Sequence, residues 1–130
     1  MEVPVARAKR AECAVLLIDD SITTRAPLGE LLRSHGYQVF EAANADDALN
    51  LLNSRFEIEV LVTDARVPGS MGGVALAHWV RKTRPAMRVL VVADPDAALD
   101  LPSEGVACLT RPLPSVDLLA ILPPAMAEAP

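Results

Sequence analysis

Residues 13–20 read CAVLLIDD. Six apolar residues stand in a row from Cys13 to Ile18, and two aspartates, Asp19 and Asp20, follow at once. A run that is apolar at every position is typical of a strand buried on both faces, as the strands of parallel sheets are. The stretch therefore predicts a parallel-sheet strand with two carboxylates at its carboxyl end.

Outward from this strand, helix and strand patterns alternate along the chain. Alternation of this kind implies parallel strands joined by right-handed crossovers, with helices on both faces of the sheet. We therefore predict an α/β fold in three layers: a flavodoxin-like, doubly wound, five-stranded parallel sheet in the order 2-1-3-4-5. The further strands are expected at 37–42, 57–63, 88–93 and 106–110, and the helices at 21–35, after Asn44, from Gly72-Gly73 and at 114–122.

Two places disturb this regular pattern. Pro27 falls inside the first helical segment, where it removes a backbone donor, so we expect a late start or a kink there. Gly36 is expected to close that helix. Residues 94–105 hold two prolines and leave room for at most a short helix. The fourth helix of the doubly wound pattern is therefore predicted to be shortened or missing.

Length and composition limit the classes of function. The chain has 130 residues, of which 52% are hydrophobic, so one domain with a sizeable core is expected. Its boundaries are predicted as an N-terminal extension (1–12), the domain (13–122) and a C-terminal tail or linker stub (123–130). A net charge of -5 argues against direct nucleic-acid binding. No apolar run approaches the roughly 18 residues of a membrane span, and the charged N-terminus is no secretory signal, so we expect a cytoplasmic protein.

Three carboxylates are expected to lie close together at one edge of the sheet. Asp19 and Asp20 end the first strand and Asp64 ends the third, and these ends are neighbours in the predicted strand order. Carboxylates packed together repel and raise each other's pKa, unless a cation lies between them. Mg²⁺ prefers oxygen ligands and binds through one or two carboxylates, waters and a phosphate. The cluster therefore predicts a Mg²⁺ site with an open position for a phosphoryl group.

Three blocks of sequence resemble the signatures of the response regulator receiver domain of two-component systems, of the chemotaxis-regulator type. The resemblance implies that Asp64 accepts a phosphoryl group from a histidine kinase or a histidine phosphotransfer protein. It also implies that Asp19, Asp20 and Asp64 hold Mg²⁺, with Asp20 the more direct ligand of the acidic pair and the backbone carbonyl of Arg66 completing the set. Such a domain is a signalling module rather than an enzyme, and a homodimer is possible. The blocks are LLIDDS (16–21), VTDARVPGSMGG (62–73) and LTRP (109–112).

The switch positions depart from that family pattern. Ala93 stands where the resemblance implies a Ser or Thr hydroxyl, and Arg111 stands where it implies a phosphate-pairing Lys. Cys108 takes the place of an aromatic switch residue; we expect both it and Cys13 to be buried, reduced thiols. The resemblance also implies a cis peptide before Pro112, an isomer that proline allows at modest cost.

These departures leave two functions open. One is a phosphorylatable receiver. The other is a pseudo-receiver, a protein-interaction module with little phosphorylation-driven switching. A phosphohydrolase with an aspartate nucleophile is disfavoured because Arg66 stands where its second aspartate is required. A nucleotide-binding flavodoxin-like protein is disfavoured because the first strand leads into no glycine-rich loop.

Overall fold

The computed structural model describes residues 12–113 and 115–125, so most of the predicted N-terminal extension (1–12), Pro114 and residues 126–130 lie outside the described residues. None of the helices in the described part is long and apolar enough to cross a bilayer. The strands are β1 (Ala14–Ile18), β2 (Gln38–Ala42), β3 (Val60–Asp64), β4 (Arg88–Ala93) and β5 (Val106–Thr110); the helices are α1 (Ile22–Ser34), α2 (Ala45–Leu52), α3 (Gly73–Thr83) and α4 (Ser115–Ile121).

The five strands form one parallel sheet in the order β2-β1-β3-β4-β5, as predicted. Side chains of β1 alternate between two cores, with Leu16 and Ile18 on one face and Val15 and Leu17 on the other. Helices α2 and α3 cover the first face, and α1 and α4 cover the second. This double burial explains why the opening run of the sequence is apolar at every position.

Helix α1 runs through Pro27 from Ile22 to Ser34. The late start expected from Pro27 is therefore wrong. The first turn closes ahead of the proline, where the Arg25 N–H donates to the Ser21 carbonyl at 2.8 Å. Packing of Leu32, which is fully buried, holds the later turns on the sheet. At the other end Gly36 adopts a φ of 94°, which confirms it as the terminating glycine.

No helix connects β4 to β5, because residues 94–105 are all described and none is helical. Leu99 and Leu101 of this connection pack only partly against the core beside α3. Part of one face of β5, the edge strand, is thus left uncovered: Val106 still packs partly against the core, but the Cys108 side chain on that face is exposed. The prediction that Cys108 is buried is wrong, because it assumed a covering layer that the short connection does not provide.

The two thiols should therefore differ sharply in reactivity. Cys13 is buried, and burial raises the pKa of its thiol to about 11. We expect one thiol per chain to react rapidly with a small thiol reagent under native conditions, and two after denaturation. Cys108→Ser should abolish the rapid reaction and Cys13→Ser should leave it intact. Equal labelling of both thiols in the native protein would contradict the exposed β5 face.

Residues 123–125, which the sequence assigns to a tail, contact the domain. The Tyr37 hydroxyl donates to the Pro123 carbonyl at 2.6 Å, and the Cys13 N–H donates to the Ala125 carbonyl at 2.5 Å. Ala125 also packs against the core that α1 and α4 cover. The ordered packing of the domain therefore continues past Leu122 to at least Ala125.

Candidate functional site

Two predicted carboxylates lie side by side at the carboxyl edge of the sheet. Asp64 is the last residue of β3, and Asp19 follows β1 directly. The strands pair in parallel with Ile18 opposite Thr63, so the next residue of each strand stands at the same edge. Asp19 is buried and Asp64 is partly buried. The topology therefore delivers the neighbouring carboxylates that the sequence predicts.

Arg111 joins these carboxylates. Its Nη2 lies 2.6 Å from Asp64 Oδ2 and 3.7 Å from Asp19 Oδ2, while its Nη1 lies 3.6 Å from Asp94 Oδ1. The Arg111 N–H donates to the Ala93 carbonyl at 2.9 Å, which fixes the residue just beyond β5. The following peptide, before Pro112, is cis, as the family resemblance implies. One guanidinium thus neutralises part of the negative charge of three carboxylates.

Asp20 does not join this group. Its side chain is exposed, and it does not line the cavity that Asp19, Asp64 and Arg111 share. Within residues 12–113 and 115–125, no group of three His, Cys, Asp or Glu side chains is arranged to hold a metal ion. Of the three carboxylates expected to lie together, only those of Asp19 and Asp64 therefore do so. The side chains of the consecutive residues Asp19 and Asp20 do not point the same way.

Burial raises the pKa of Asp19 above its ordinary value of 3.8. The charges of Asp64 and Asp20 raise the pKa further, while the hydrogen bond from the Ser21 N–H and the charge of Arg111 lower it. The native state therefore holds the Asp19 proton more tightly than the unfolded chain does. The stabilisation by this proton is complete below pH 3.8 and is lost as the pH rises through the raised pKa.

Asp19→Asn should for this reason stabilise the metal-free protein at neutral pH. We expect its melting temperature to exceed that of the wild type by a few degrees at pH 7, because a buried charge beside Asp64 is removed. The Asn side-chain oxygen can still accept the Ser21 N–H. The gain should shrink to nothing below pH 3.8, where Asp19 is protonated in both states. Asp20→Asn, at an exposed position, should change little; a gain that does not depend on pH would contradict this account.

Backbone contacts hold Asp64 in one orientation. The Arg66 N–H donates to Asp64 Oδ1 at 2.9 Å, which leaves Oδ2 to Arg111. The buried hydroxyl of Thr63 donates to the Asp64 carbonyl at 2.9 Å. Gly73 packs so closely that a Cβ built there would overlap that same carbonyl oxygen. The sequence gives Thr63 no special signal, because one threonine at a strand end is common.

A cavity of about 410 Å³ opens beside these charged groups. Its polar end is formed by Asp19, Asp64 and Arg111, and the remainder is mostly apolar. The apolar wall comes mainly from α1 and from the segment after β5, and includes Pro27, Leu28, Leu31, Pro112 and Leu113. Asp64 is thus reached from one side through a cleft of ligand-binding size.

The other predicted site residues lie around this edge with different exposure. Ala93 is buried at the end of β4, where its methyl group can donate no hydrogen bond. Arg66 has an exposed side chain, and Cys108 lies on the partly uncovered face of β5. Sequence reasoning missed Arg25, whose Nη1 donates to the Asp19 carbonyl at 2.6 Å, because nothing in a helical pattern marks one arginine among several.

The donor set of this edge fits a hard divalent cation. Asp19 and Asp64 present carboxylate oxygens to one shared cation, which here is the guanidinium of Arg111. Two carboxylates together with waters and a phosphate are sufficient for Mg²⁺. Burial is the largest cause of the raised pKa of Asp19, and the charge of Asp64 raises that pKa by more than the charge of Arg111 lowers it. An additional cation would therefore be stabilised at this position.

Comparison with known proteins identifies the family. Residues 15–122 match the family model of the response regulator receiver domain. The sensor kinase CckA of Brucella abortus is 33% identical over 95 residues, covering 70% of this chain and 10% of that protein. The chain spans 10% to 32% of the length of three curated relatives that it matches.

Solved receiver structures have the same fold. The signal receiver domain of an HD domain-containing protein from Pseudomonas fluorescens superposes with a TM-score of 0.74 at 26% identity, covering 85% of this chain and 90% of that one. A Burkholderia pseudomallei response regulator with a phosphorylated aspartic acid, a calcium ion and citrate gives a TM-score of 0.72 at 26% identity, covering 90% of this chain and 68% of that one. The paired carboxylates at the sheet edge, the strand order and these matches together show that the chain belongs to the response regulator receiver domain family of two-component signalling systems.

Proposed function

We propose that Asp64 accepts a phosphoryl group from a histidine kinase or a histidine phosphotransfer protein, in the cytoplasm. The observation that carries the proposal is the placement of Asp64. Its carboxylate stands at the carboxyl edge of the sheet, at the mouth of the cleft, and is fixed by the Arg66 N–H and by Arg111 at 2.6 Å. The phosphorylated aspartic acid of the Burkholderia pseudomallei relative supports the same chemistry here.

The transfer is a displacement at phosphorus. A carboxylate oxygen of Asp64 attacks, an O–P bond forms, and the P–N bond to the donor histidine breaks. The electron pair of that bond returns to the departing imidazole, which takes up a proton. The product is an acyl phosphate with about two negative charges in place of one. Oδ2 of Asp64 must exchange its contact with Arg111 for the new phosphoryl group if it is the attacking atom, whereas Oδ1 remains oriented by the Arg66 N–H.

Arg111 is a cation already placed to pair with the product. Its guanidinium already lies between Asp64 and Asp19, so a short shift lets it pair with phosphoryl oxygens. Arg keeps the charge of the Lys that the family pattern implies, but it is planar and forked and pairs through two nitrogens. Asp19, Asp64 and the Arg66 carbonyl would hold Mg²⁺, and Asp20, which is exposed, would join them only by turning toward the sheet edge. When bound, the ion would supply positive charge to the phosphoryl oxygens.

Incubation with acetyl phosphate tests this proposal. We expect intact-mass spectrometry to show addition of one phosphoryl group with Mg²⁺ present and no addition when a chelator replaces the metal. A receiver domain that is known to be phosphorylated by acetyl phosphate, treated in parallel, is the positive control for the donor. If that receiver is labelled and this chain is not, the acceptor role of Asp64 is wrong.

The second candidate is the pseudo-receiver, and a specific observation favours it. Ala93 is buried and has no hydroxyl that could turn toward a phosphoryl group and donate a hydrogen bond to it. Cys108 is small and exposed, so it cannot act as a large side chain that turns inward. Amide NMR spectra with and without phosphorylation distinguish the candidates. A switch predicts shifts that spread to β4 and β5, and Ala93→Thr should enlarge them. Shifts confined to the neighbours of Asp64 in both proteins would favour the interaction module.

A further inference from the structure

Arg25 of α1 reaches across to the backbone of the acidic pair. Its Nη1 donates to the Asp19 carbonyl at 2.6 Å, and its Nε donates to Glu41 Oε1 at 3.0 Å. The Arg25 side chain is only 13% exposed. A charged donor at that distance from a carbonyl makes one of the stronger hydrogen bonds available to a backbone oxygen. Arg25 therefore restrains the peptide that joins Asp19 to Asp20.

Glu41 of β2 orients this arginine. It accepts from Arg25 through Oε1 and from Arg33 Nη1 through Oε2, the latter at 2.9 Å. Gly29 provides the space, since a Cβ at that position would lie 2.8 Å from Glu41 Oε2. The three charged side chains thus form a network between α1 and β2, of which only Arg25 touches the acidic pair.

Asp19 is consequently fixed at three points. Its N–H donates to the Ala42 carbonyl of β2 at 3.1 Å, its carbonyl accepts from Arg25, and its Oδ1 accepts the Ser21 N–H at 2.9 Å. Its carboxylate is buried beside Asp64, whose like charge repels it. Because that repulsion favours turning the carboxylate away, restraints on the surrounding backbone are needed to keep it at the edge.

We propose that Arg25 is a positioning residue that, through the Asp19 carbonyl, keeps the Asp19 carboxylate beside Asp64, where a divalent cation would bind. The inference rests on the metal site of the proposed function. Residues that orient the ligands of a metal typically contribute about 10-fold to 100-fold in affinity when they are replaced. A role in stability alone would instead be shared with Arg33, because both arginines belong to α1 and both pair with Glu41.

This shared partner supplies the matched control. We would measure Mg²⁺ binding by calorimetry for the wild type, Arg25→Ala, Arg25→Lys and Arg33→Ala. Arg25→Ala should bind Mg²⁺ about 10-fold more weakly, and Arg33→Ala should bind like the wild type. Arg25→Lys should recover part of the affinity, since an ammonium can still donate to the Asp19 carbonyl. Melting curves recorded alongside report the loss of the pairs with Glu41.

A second measurement needs no metal. Exchange of the Ser21 amide hydrogen reports the bond from that N–H to Asp19 Oδ1. It should be faster in metal-free Arg25→Ala than in the wild type and unchanged in Arg33→Ala. Unchanged Mg²⁺ affinity in Arg25→Ala, equal weakening in both alanine variants, or unaltered Ser21 exchange would each overturn the positioning role. If the wild type itself binds no Mg²⁺, the metal site of the proposed function is wrong, and the positioning role of Arg25 is wrong with it.

Discussion

Gly73→Ala is expected to destabilise the domain by about 3 kcal/mol, although alanine is a better helix former than glycine by about 1 kcal/mol. A Cβ at Gly73, the first residue of α3, would overlap the Asp64 carbonyl oxygen. It would also lie 3.0 Å from the Asp64 carbonyl carbon and 3.1 Å from that of Ala65. These are backbone atoms at the end of β3, so the overlap can be removed only if α3 or β3 moves.

Gly72→Ala is the control for this prediction. Gly72 caps the same helix with a φ of -83°, and a Cβ there would find its nearest neighbour, the Ala65 carbonyl oxygen, at 3.9 Å. We expect it to cost less than about 1 kcal/mol, as a change of cap residue does. Denaturant unfolding measures both variants. Equal losses for the two glycines would show that the close approach to Asp64 does not determine the stability here.

Asp64→Asn is expected to abolish phosphoryl acceptance while leaving the domain folded. An amide oxygen is too weak a nucleophile to displace the donor at phosphorus, but it can still accept the Arg66 N–H. Removing this charge also relieves the repulsion that raises the pKa of Asp19, which offsets the lost pair with Arg111. Intact-mass spectra after incubation with acetyl phosphate and Mg²⁺ should therefore show no added phosphoryl group, and the melting curve should remain cooperative.

Asp94→Asn is the matched control for that experiment. Asp94 also pairs with Arg111, at 3.6 Å, but its side chain is 52% exposed and it follows β4 rather than β3. The variant should accept phosphoryl groups as the wild type does. Persistent labelling of Asp64→Asn, or its loss in Asp94→Asn, would place the acceptor on another residue.

The fold could be predicted because its signal is local. The apolar run of β1, the glycine after α1 and the strand ending in Asp64 each identify their element from a few neighbouring residues. The parallel topology then follows from the order of elements, and it places Asp19 beside Asp64. Asn44 is a further example, since its side chain accepts the Asp47 N–H at 2.7 Å and caps α2 as expected.

What sequence reasoning missed depends on contacts between distant segments. Cys108 is exposed because the connection from β4 to β5 forms no helix that would cover it. The residues of a strand do not indicate which other segment packs on it. Arg25 is oriented by Glu41 of β2, which lies 16 residues further along the chain. The need for glycine at 73 comes from the carbonyl of a residue nine positions earlier. The family resemblance makes Asp20 the more direct ligand of the acidic pair, but of the two aspartates only Asp19 lines the cleft.

Reductive trapping identifies the residue whose carboxylate carries the phosphoryl group, which we expect to be Asp64. Wild-type protein is phosphorylated with acetyl phosphate and Mg²⁺, treated with borohydride, which reduces an acyl phosphate to the alcohol, and digested for peptide mass mapping. Homoserine is expected to replace aspartate at position 64 and at no other aspartate. Homoserine at another position, or a phosphoryl group that survives borohydride on a hydroxyl side chain, would contradict it.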